Sequence, residues 1–297
     1  MTRSEIRRDA RRLARVLSRI AAALFLCAAF GNATAAGDAR RGQYLAQISG
    51  CRACHTATTA GAMPYAGGRA LKTLFGTFYG PNITPDPQAG IGRWTEDDFI
   101  RAMREGRRPD GAHLFPAFPY PSFTKIRDDD LRDLWAFLRT LAPSRQANRK
   151  HDLMFPFSSR SLVITWKKLY FKPGPMTDDP RQTPLVNRGA YIVQALSHCG
   201  ECHTPRNLLG GPDQDRFLAG TKSGPEGKAV PNLTPAKLKK WSDAELKDFL
   251  LTGLTPEGDV TAETMGEVVR DATSRMTPND LAAVIAYLRS LPAIKDK

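Results

Sequence analysis

Two stretches of the sequence place apolar residues at helical spacing, one near the end of each half of the chain. Between residues 131 and 141, and again between 281 and 291, an apolar side chain recurs every three or four positions. Such a stripe covers one face of a helix and packs against a core. The stripes consist of Leu131, Leu134, Trp135, Leu138 and Leu141, and of Leu281, Val284, Ile285, Leu288 and Leu291.

Helix-start signals divide the rest of each half. Thr95 with Asp98, and Ser242 with Glu245, have the spacing of capping boxes. Thr277 and Pro278 have the sequence of an N-cap followed by proline at the first helical position. The intervening stretches are rich in glycine and proline. We therefore expect an all-α fold in which each half has three short helices joined by loops.

An internal repeat relates the two halves at an offset of about 147 to 150 residues. The matched segments are 41–44 with 188–191, 81–85 with 231–235, 94–99 with 241–246, and 130–141 with 280–291. This duplication predicts one domain over residues 37–143, a second over 185–297, and a connector of unrelated sequence over 144–184.

Residues 1–36 have the features of a secretory signal peptide. An arginine-rich start is followed by an apolar run over 20–30 and by small residues over 33–36. The apolar run is short for a bilayer span, so we expect cleavage, loss of Cys27 with the leader, and a periplasmic protein; an uncleaved anchor stays open as the alternative.

The net charge bears on the choice of partner. The chain carries +13, but the leader holds seven arginines against two acidic residues, which leaves +8 for the rest. A basic surface suits an acidic protein or an anionic membrane face, and charge alone gives no argument for nucleic acid.

The four cysteines outside the leader all fall in one pentapeptide pattern, C-x-x-C-H. The two motifs are Cys51-Arg-Ala-Cys54-His55 and Cys199-Gly-Glu-Cys202-His203. At this spacing two thiols add to the vinyl groups of one haem while the histidine coordinates the iron. We therefore predict two covalently attached haem c groups, with His55 and His203 as proximal ligands.

Three other uses of paired cysteines are less consistent with the sequence. A zinc site gives no reason for a histidine to follow both pairs, and a thioredoxin-like redox pair would sit in a β-α-β context. Structural disulfides would leave both histidines unexplained.

The sixth iron ligand differs between the halves. In the second half the loop before the last helix contains Met265, which we predict as the distal ligand of haem 2. Met276 directly precedes the Thr277 cap and is placed to pack on Leu281 as a hydrophobic staple, so we interpret it as core.

The matching loop of the first half, residues 113–126, contains no methionine. The distal ligand of haem 1 is therefore unknown, and we hypothesise a five-coordinate or weakly ligated iron. The remaining candidates are Met103, His113, Met63 and Met154.

The connector contains an aromatic-rich stretch over residues 153–171. Its segment 162–171 has the character of an amphipathic helix, which either docks on a membrane or partner or packs between the two haem domains and fixes their separation.

The two haem motifs, the Pro-Asn-x-Thr-Pro loops and the stretch 198–207 resemble the multi-haem cytochrome c subunits of bacterial periplasmic dehydrogenases for alcohols, gluconate, and aldehydes or nicotinate. In those subunits the first distal loop usually carries a methionine at one of two positions. Here these positions hold Phe118 and Ile126. Those subunits often have three haem domains, and some carry a C-terminal anchor; this chain has two haem motifs.

The resemblance implies a non-catalytic subunit that relays electrons from a dehydrogenase to a downstream cytochrome or oxidase. The basic charge and the segment 162–171 add a possible peripheral membrane contact. The alternative is an enzyme of the di-haem peroxidase type, or a gas-binding cytochrome that uses a five-coordinate first haem. No acid/base constellation stands beside the first motif, so no catalytic residue is predicted.

Overall fold

The first half is built from three longer helices and two short ones. The structure is a computed structural model that describes residues 36–224 and 227–296, so the predicted leader, with Cys27, lies outside the described residues except for Ala36. The helices of the first half are α1 (Ala39–Ile48), α2 (Cys51–His55), α3 (Glu96–Glu105), α4 (Tyr120–Phe123) and α5 (Asp128–Thr140).

The connector forms helix α6, and the second half repeats the pattern of the first with one additional short helix. These helices are α6 (Arg160–Tyr170), α7 (Pro184–Tyr191, continued by a π-helical turn over Ile192–Leu196), α8 (Gly200–His203), α9 (Pro235–Leu238), α10 (Asp243–Thr252), α11 (Glu263–Asp271) and α12 (Pro278–Ser290). None of the described helices is both long enough and apolar enough to cross a membrane.

The predicted helix starts are confirmed. Thr95 and Ser242 each form a complete capping box with the acidic residue three positions on, and the Thr277 side chain accepts from the backbone N–H of Asp280. Both apolar stripes lie in the core, where the residues of α5 and α12 pack together with those of α1 and α7.

A small antiparallel sheet was not predicted from the sequence. Its strands are β1 (Ala70–Thr73), β2 (Gly76–Tyr79) and β3 (Asp152–Leu153), in the order β1-β2-β3. Because β3 belongs to the connector, the sheet fastens the start of the connector to the first half. The fold remains predominantly helical, as predicted.

Each half closes by crossing its first long helix over its last. At the crossing, a Cβ built on Gly42 would lie 1.8 Å from the carbonyl oxygen of Asp133, and one on Gly189 would lie 1.9 Å from that of Ala283. No side chain fits at these distances, which explains the glycine of the repeated Arg-Gly-x-Tyr segments.

The tyrosine of each Arg-Gly-x-Tyr segment reaches into the other half. Tyr191 donates to Asp130 Oδ2 (2.5 Å) and accepts from the backbone N–H of Arg127 (3.0 Å). Asp130 stands in the first turn of α5 and is also paired with Arg41 of its own half.

The reciprocal contact joins the tyrosine of the first half to the matching aspartate of the second half. Tyr44 donates to Asp280 Oδ2 (2.6 Å) and accepts from the backbone N–H of Thr277 (3.1 Å), while Arg188 pairs with Asp280 at 2.7 Å. Each buried carboxylate thus takes one arginine from its own half and one hydroxyl from the other.

Helix α6 packs between the halves. Its Val163 is buried against Phe78 and Phe115 of the first half, and its Trp166 Nε1–H donates to the carbonyl of Leu209 in the second (3.0 Å). These contacts favour the interdomain interpretation of this part of the connector.

We expect Tyr191→Phe to destabilise the holo-protein by about 1–3 kcal/mol, because it leaves the buried Asp130 carboxylate with Arg41 alone and removes the side-chain acceptor of the Arg127 N–H. Denaturant unfolding followed by circular dichroism measures the change. Tyr44→Phe is the matched variant, and its effect should be smaller because Tyr44 is only half-buried. Equal, negligible effects would contradict the role of the exchanged tyrosines.

A pH dependence is expected from Lys167, which donates to the carbonyls of Glu105 and Gly106 and lies 4.8 Å from the Tyr120 ring centre. Burial, and then the positive charge of Arg107, lower the pKa of Lys167 to about 8. The unfolded side chain titrates near about 10.4, so between these values the unfolded chain binds more protons and rising pH favours the folded state.

The stability of the wild type relative to Lys167→Met should therefore increase as the pH rises from about 8 to about 10. Urea unfolding at several pH values measures it, and Lys168→Met, which removes an exposed lysine of the same helix, is the control. A wild-type advantage that falls over this range would contradict the direction of the pKa shift.

Candidate haem-binding sites

Each C-x-x-C-H sequence forms about one helical turn: α2 contains the whole first motif, and α8 contains the second motif from Gly200 onward, with Cys199 as its N-cap. All four cysteines are unpaired and half-buried. One helical turn brings residues three positions apart to the same side, so the two thiols of each motif can bind one flat ligand from a single direction. The motif histidine follows on the same turn.

A backbone carbonyl orients each motif histidine. The Nδ1–H of His55 donates to the carbonyl of Pro81, and that of His203 to the carbonyl of Pro231, both at 2.7 Å. Each bond leaves the Nε2 lone pair available for a metal. Burial lowers the pKa of both histidines, which favours the neutral imidazole that ligates iron.

The Pro-Asn-x-Thr-Pro loops supply these carbonyls and are held in place by their asparagines. Asn82 Oδ1 accepts from the N–H two residues on, and its Nδ2 donates to the carbonyl of Ser144 (2.8 Å). Asn232 makes the same pair of bonds, the second with the carbonyl of Ile294 (2.7 Å). Sequence analysis found these loops as a repeat but did not find their role.

The thiols are not built as a redox pair. Burial raises the pKa of Cys51 and Cys199 to about 12, and that of Cys202 to about 11. A reactive redox cysteine instead needs a lowered pKa. Among the described residues no group of three or more His, Cys, Asp and Glu side chains is arranged to hold a metal.

A buried hydroxyl without a partner also fits a bound polar group. Tyr120, in the distal loop of the first half, is fully buried, and its OH makes no hydrogen bond within the described chain. Buried hydroxyls are normally satisfied, so this one fits a ligand with oxygen atoms, such as the propionates of haem. The donor set, the oriented imidazoles and this hydroxyl together fit haem.

The distal loops of the two halves begin with equivalent backbone hydrogen bonds, which align their sequences. The N–H of Leu114 donates to the carbonyl of Gly106, and the N–H of Thr261 to that of Gly253, each at 2.8 Å. The residues four positions beyond these bonds are Phe118 and Met265. The first half therefore has a phenylalanine where the second has its predicted distal methionine.

Met276 lies in the core, as interpreted from the sequence. Its counterpart just before the last helix of the first half is Ile126, and both side chains are buried in the apolar cluster. Met265, by contrast, is half-buried in the first turn of α11 and is not part of that cluster.

The other candidates for haem 1 have different surroundings. Met103 is buried in the core, and Met154 is exposed. His113 lies with its Nδ1 3.1 Å from Lys167 Nζ, against the connector helix, and Met63 is half-buried in a loop. Sequence analysis did not consider Met176, whose N–H donates to the carbonyl of Lys125 (2.9 Å) beside Ile126 and whose side chain packs against the core.

Each distal loop lies against the haem-motif helix of the other half. Ser122 of α4 donates to Glu201 of α8 (2.6 Å), and Glu267 of α11 pairs with Arg69, which follows the first motif (2.7 Å). Cys54 is among the groups that raise the pKa of Cys202, after burial and Glu201. The two motifs therefore lie near each other within one compact unit, Gly37–Lys297.

Comparison with known proteins agrees with this geometry. The cytochrome c family matches residues 39–142 and 186–292. The chain is 44% identical to a diheme cytochrome c-type protein of Cereibacter sphaeroides, over 87% of this chain and 88% of that one.

Two further relatives are the cytochrome components of sugar and alcohol dehydrogenases. The chain is 38% identical to the cytochrome c subunit of the quinone alcohol dehydrogenase of Gluconobacter oxydans, over 94% of this chain and 61% of that relative. It is 40% identical to the fructose dehydrogenase cytochrome subunit of Gluconobacter japonicus, over 85% of this chain and 52% of that relative.

The matched regions, each with one C-x-x-C-H helix and one carbonyl-oriented histidine, agree with the two haem groups that the motifs predict. The chain belongs to the cytochrome c family and consists of two tandem cytochrome c domains with two covalently bound haem c groups.

Proposed function

We propose that this chain is a periplasmic electron relay that takes electrons from a dehydrogenase and passes them to a downstream cytochrome or oxidase. The observation that carries the proposal is the mutual packing of each distal loop on the haem-motif helix of the other half. Electron transfer slows with distance, so two haem sites held close together in one unit suit a relay. The relatives that are cytochrome subunits of dehydrogenases support a dehydrogenase as donor.

In this proposal the chain's own residues hold and orient the two cofactors. Cys51 and Cys54 attach haem 1 and Cys199 and Cys202 attach haem 2, with His55 and His203 as proximal ligands. When bound, the haem groups supply one-electron redox chemistry. The domains extend over 37–143 and 185–297, with the connector 144–184 between them.

The two irons differ in their distal ligands. Met265 completes haem 2 as a His/Met centre, a ligand set that raises the reduction potential and closes the iron to small molecules. Haem 1 has Phe118 at the corresponding position, and phenylalanine cannot ligate iron. Haem 1 is therefore open or weakly ligated on its distal side. Small molecules can then bind its iron, but this alone does not make the chain an enzyme.

Carbon monoxide should bind to one of the two haems of the reduced protein, because only haem 1 has a free distal position. A CO difference spectrum, calibrated by a pyridine haemochrome assay, counts the reactive haems. Phe118→Met should abolish CO binding by supplying the ligand that Met265 supplies in the second half.

Ile126→Met is the matched control, since Ile126 corresponds to the core residue Met276, and it should leave CO binding unchanged. If the wild type binds no CO, the hypothesis of an open distal position on haem 1 is wrong. A Met176→Ala variant that then gains CO binding would identify Met176 as the ligand.

The relay predicts that fully reduced holo-protein gives two electrons per chain to a ferric monohaem cytochrome c and has no substantial peroxide turnover. Stopped-flow absorbance follows the first reaction, and a peroxide-consumption assay with a reducing dye follows the second. Rapid peroxide turnover with slow transfer to the cytochrome would instead indicate a peroxidase-type enzyme.

A further inference from the structure

The exposed apolar side chains of the described residues are concentrated on one part of the surface. Nine of the thirteen large apolar residues with high exposure come from residue 74, from the segment 154–169, and from residues 208 and 209. These segments belong to the β1-β2 turn, the connector and the loop after the second haem motif, which are far apart in sequence.

Phe75 joins the three segments into one surface. Its ring centre lies 4.7 Å from that of Phe157, its carbonyl accepts from the N–H of Met154 (3.0 Å), and its ring lies 3.4 Å from a Cβ built on Gly210. We call the exposed apolar side chains around it the loop patch, which consists of Leu74, Met154, Phe155, Phe157, Leu208 and Leu209.

The tips of the loop patch are mostly exposed to solvent. Leu208 is 96% exposed, Phe155 89% and Leu74 67%. Single exposed apolar residues are common, but a cluster of this size marks a surface that binds something apolar.

The segments that carry the loop patch are basic, although Asp213 and Asp215 line the same surface cavity as Lys168 and Lys172. The segments 70–79, 153–172 and 206–211 contain six basic residues and no acidic residue. Lys72, Lys168 and Lys172 are exposed, and none of them forms a salt bridge within the described chain. These exposed lysines favour a ligand that is anionic as well as apolar.

We propose that the loop patch and its lysines dock the protein on an anionic lipid bilayer. Apolar side chains on a background of lysine and arginine are the combination by which peripheral proteins bind the membrane interface. An acidic protein would match the lysines equally well, but it would need separate pockets for tips on three different loops. Acyl chains accept any apolar shape. The inference does not depend on whether the chain relays electrons.

The test is co-sedimentation of the exported holo-protein with vesicles, after mass spectrometry has established its N-terminus. Wild type should bind vesicles of phosphatidylglycerol and phosphatidylcholine but not of phosphatidylcholine alone, and added salt should weaken binding. Phe155→Ser with Leu208→Ser should weaken it about tenfold or more, because both side chains lose their burial in lipid. Lys168→Gln with Lys172→Gln should weaken it as well.

The matched control is Leu185→Ser with Val260→Ser, which removes two apolar side chains that are 46% and 71% exposed away from the loop patch. It should bind like the wild type, and a pyridine haemochrome assay verifies that all variants carry their haem. Since every variant has the same N-terminus, differences between them report the patch.

Three results would overturn the proposal. The first is no binding to anionic vesicles, or equal loss in the patch and control variants. The second is a dimer, seen by analytical ultracentrifugation, that the patch variant dissociates without any vesicle binding by the wild type. The third is a wild type that ignores vesicles while the patch variant is reduced more slowly by a purified dehydrogenase, which would identify a protein partner.

Discussion

Two buried carboxylates, Asp130 and Asp280, determine how the halves of this protein fit together. A charge removed from water is costly unless it is paired and hydrogen-bonded. Neither half supplies enough partners alone: each aspartate receives an arginine from its own first helix and a tyrosine hydroxyl from the other half. Both aspartates stand in the first turn of a final helix, where negative charge is also favoured by the helix dipole. The requirement to satisfy them fixes the two domains against each other, and with them the two haem motifs.

The orientation of the proximal ligands depends on a second set of polar contacts, made by the Pro-Asn-x-Thr-Pro loops. The proline carbonyl holds the imidazole, and the neighbouring asparagine bonds to the chain that leaves the last helix, through Ser144 in one half and Ile294 in the other. The iron ligand is thus connected to the end of its own domain through two residues of one loop. In the first half that end is also the start of the connector, so the geometry of haem 1 is mechanically linked to the segment that bridges the domains.

Much of this organisation is readable from the sequence. The C-x-x-C-H motifs, the apolar stripes and the capping boxes act over a few residues, and the repeat shows that the same unit occurs twice. The Tyr44–Asp280 contact could not be derived in this way, because its partners are 236 residues apart and each has an ordinary local role. The strand pairing of Gly76 with Leu153 was missed for a similar reason: β3 is two residues long and has no pattern of its own. Met176 was overlooked because a backbone bond, which leaves no mark in the sequence, places it beside the distal loop.

The exchanged tyrosines also constrain how the two repeats can evolve. A change at Tyr191 alters the partners of Asp130, and a change at Tyr44 alters those of Asp280, so residues of one copy constrain residues of the other. The distal loops carry no comparable bond at Phe118 or Met265, and it is there that the copies have diverged in chemistry. A duplication whose halves share buried charges ties the scaffold of one copy to that of the other, whereas the distal loops, with Phe118 in one copy and Met265 in the other, can change in sequence without disturbing these charge pairs.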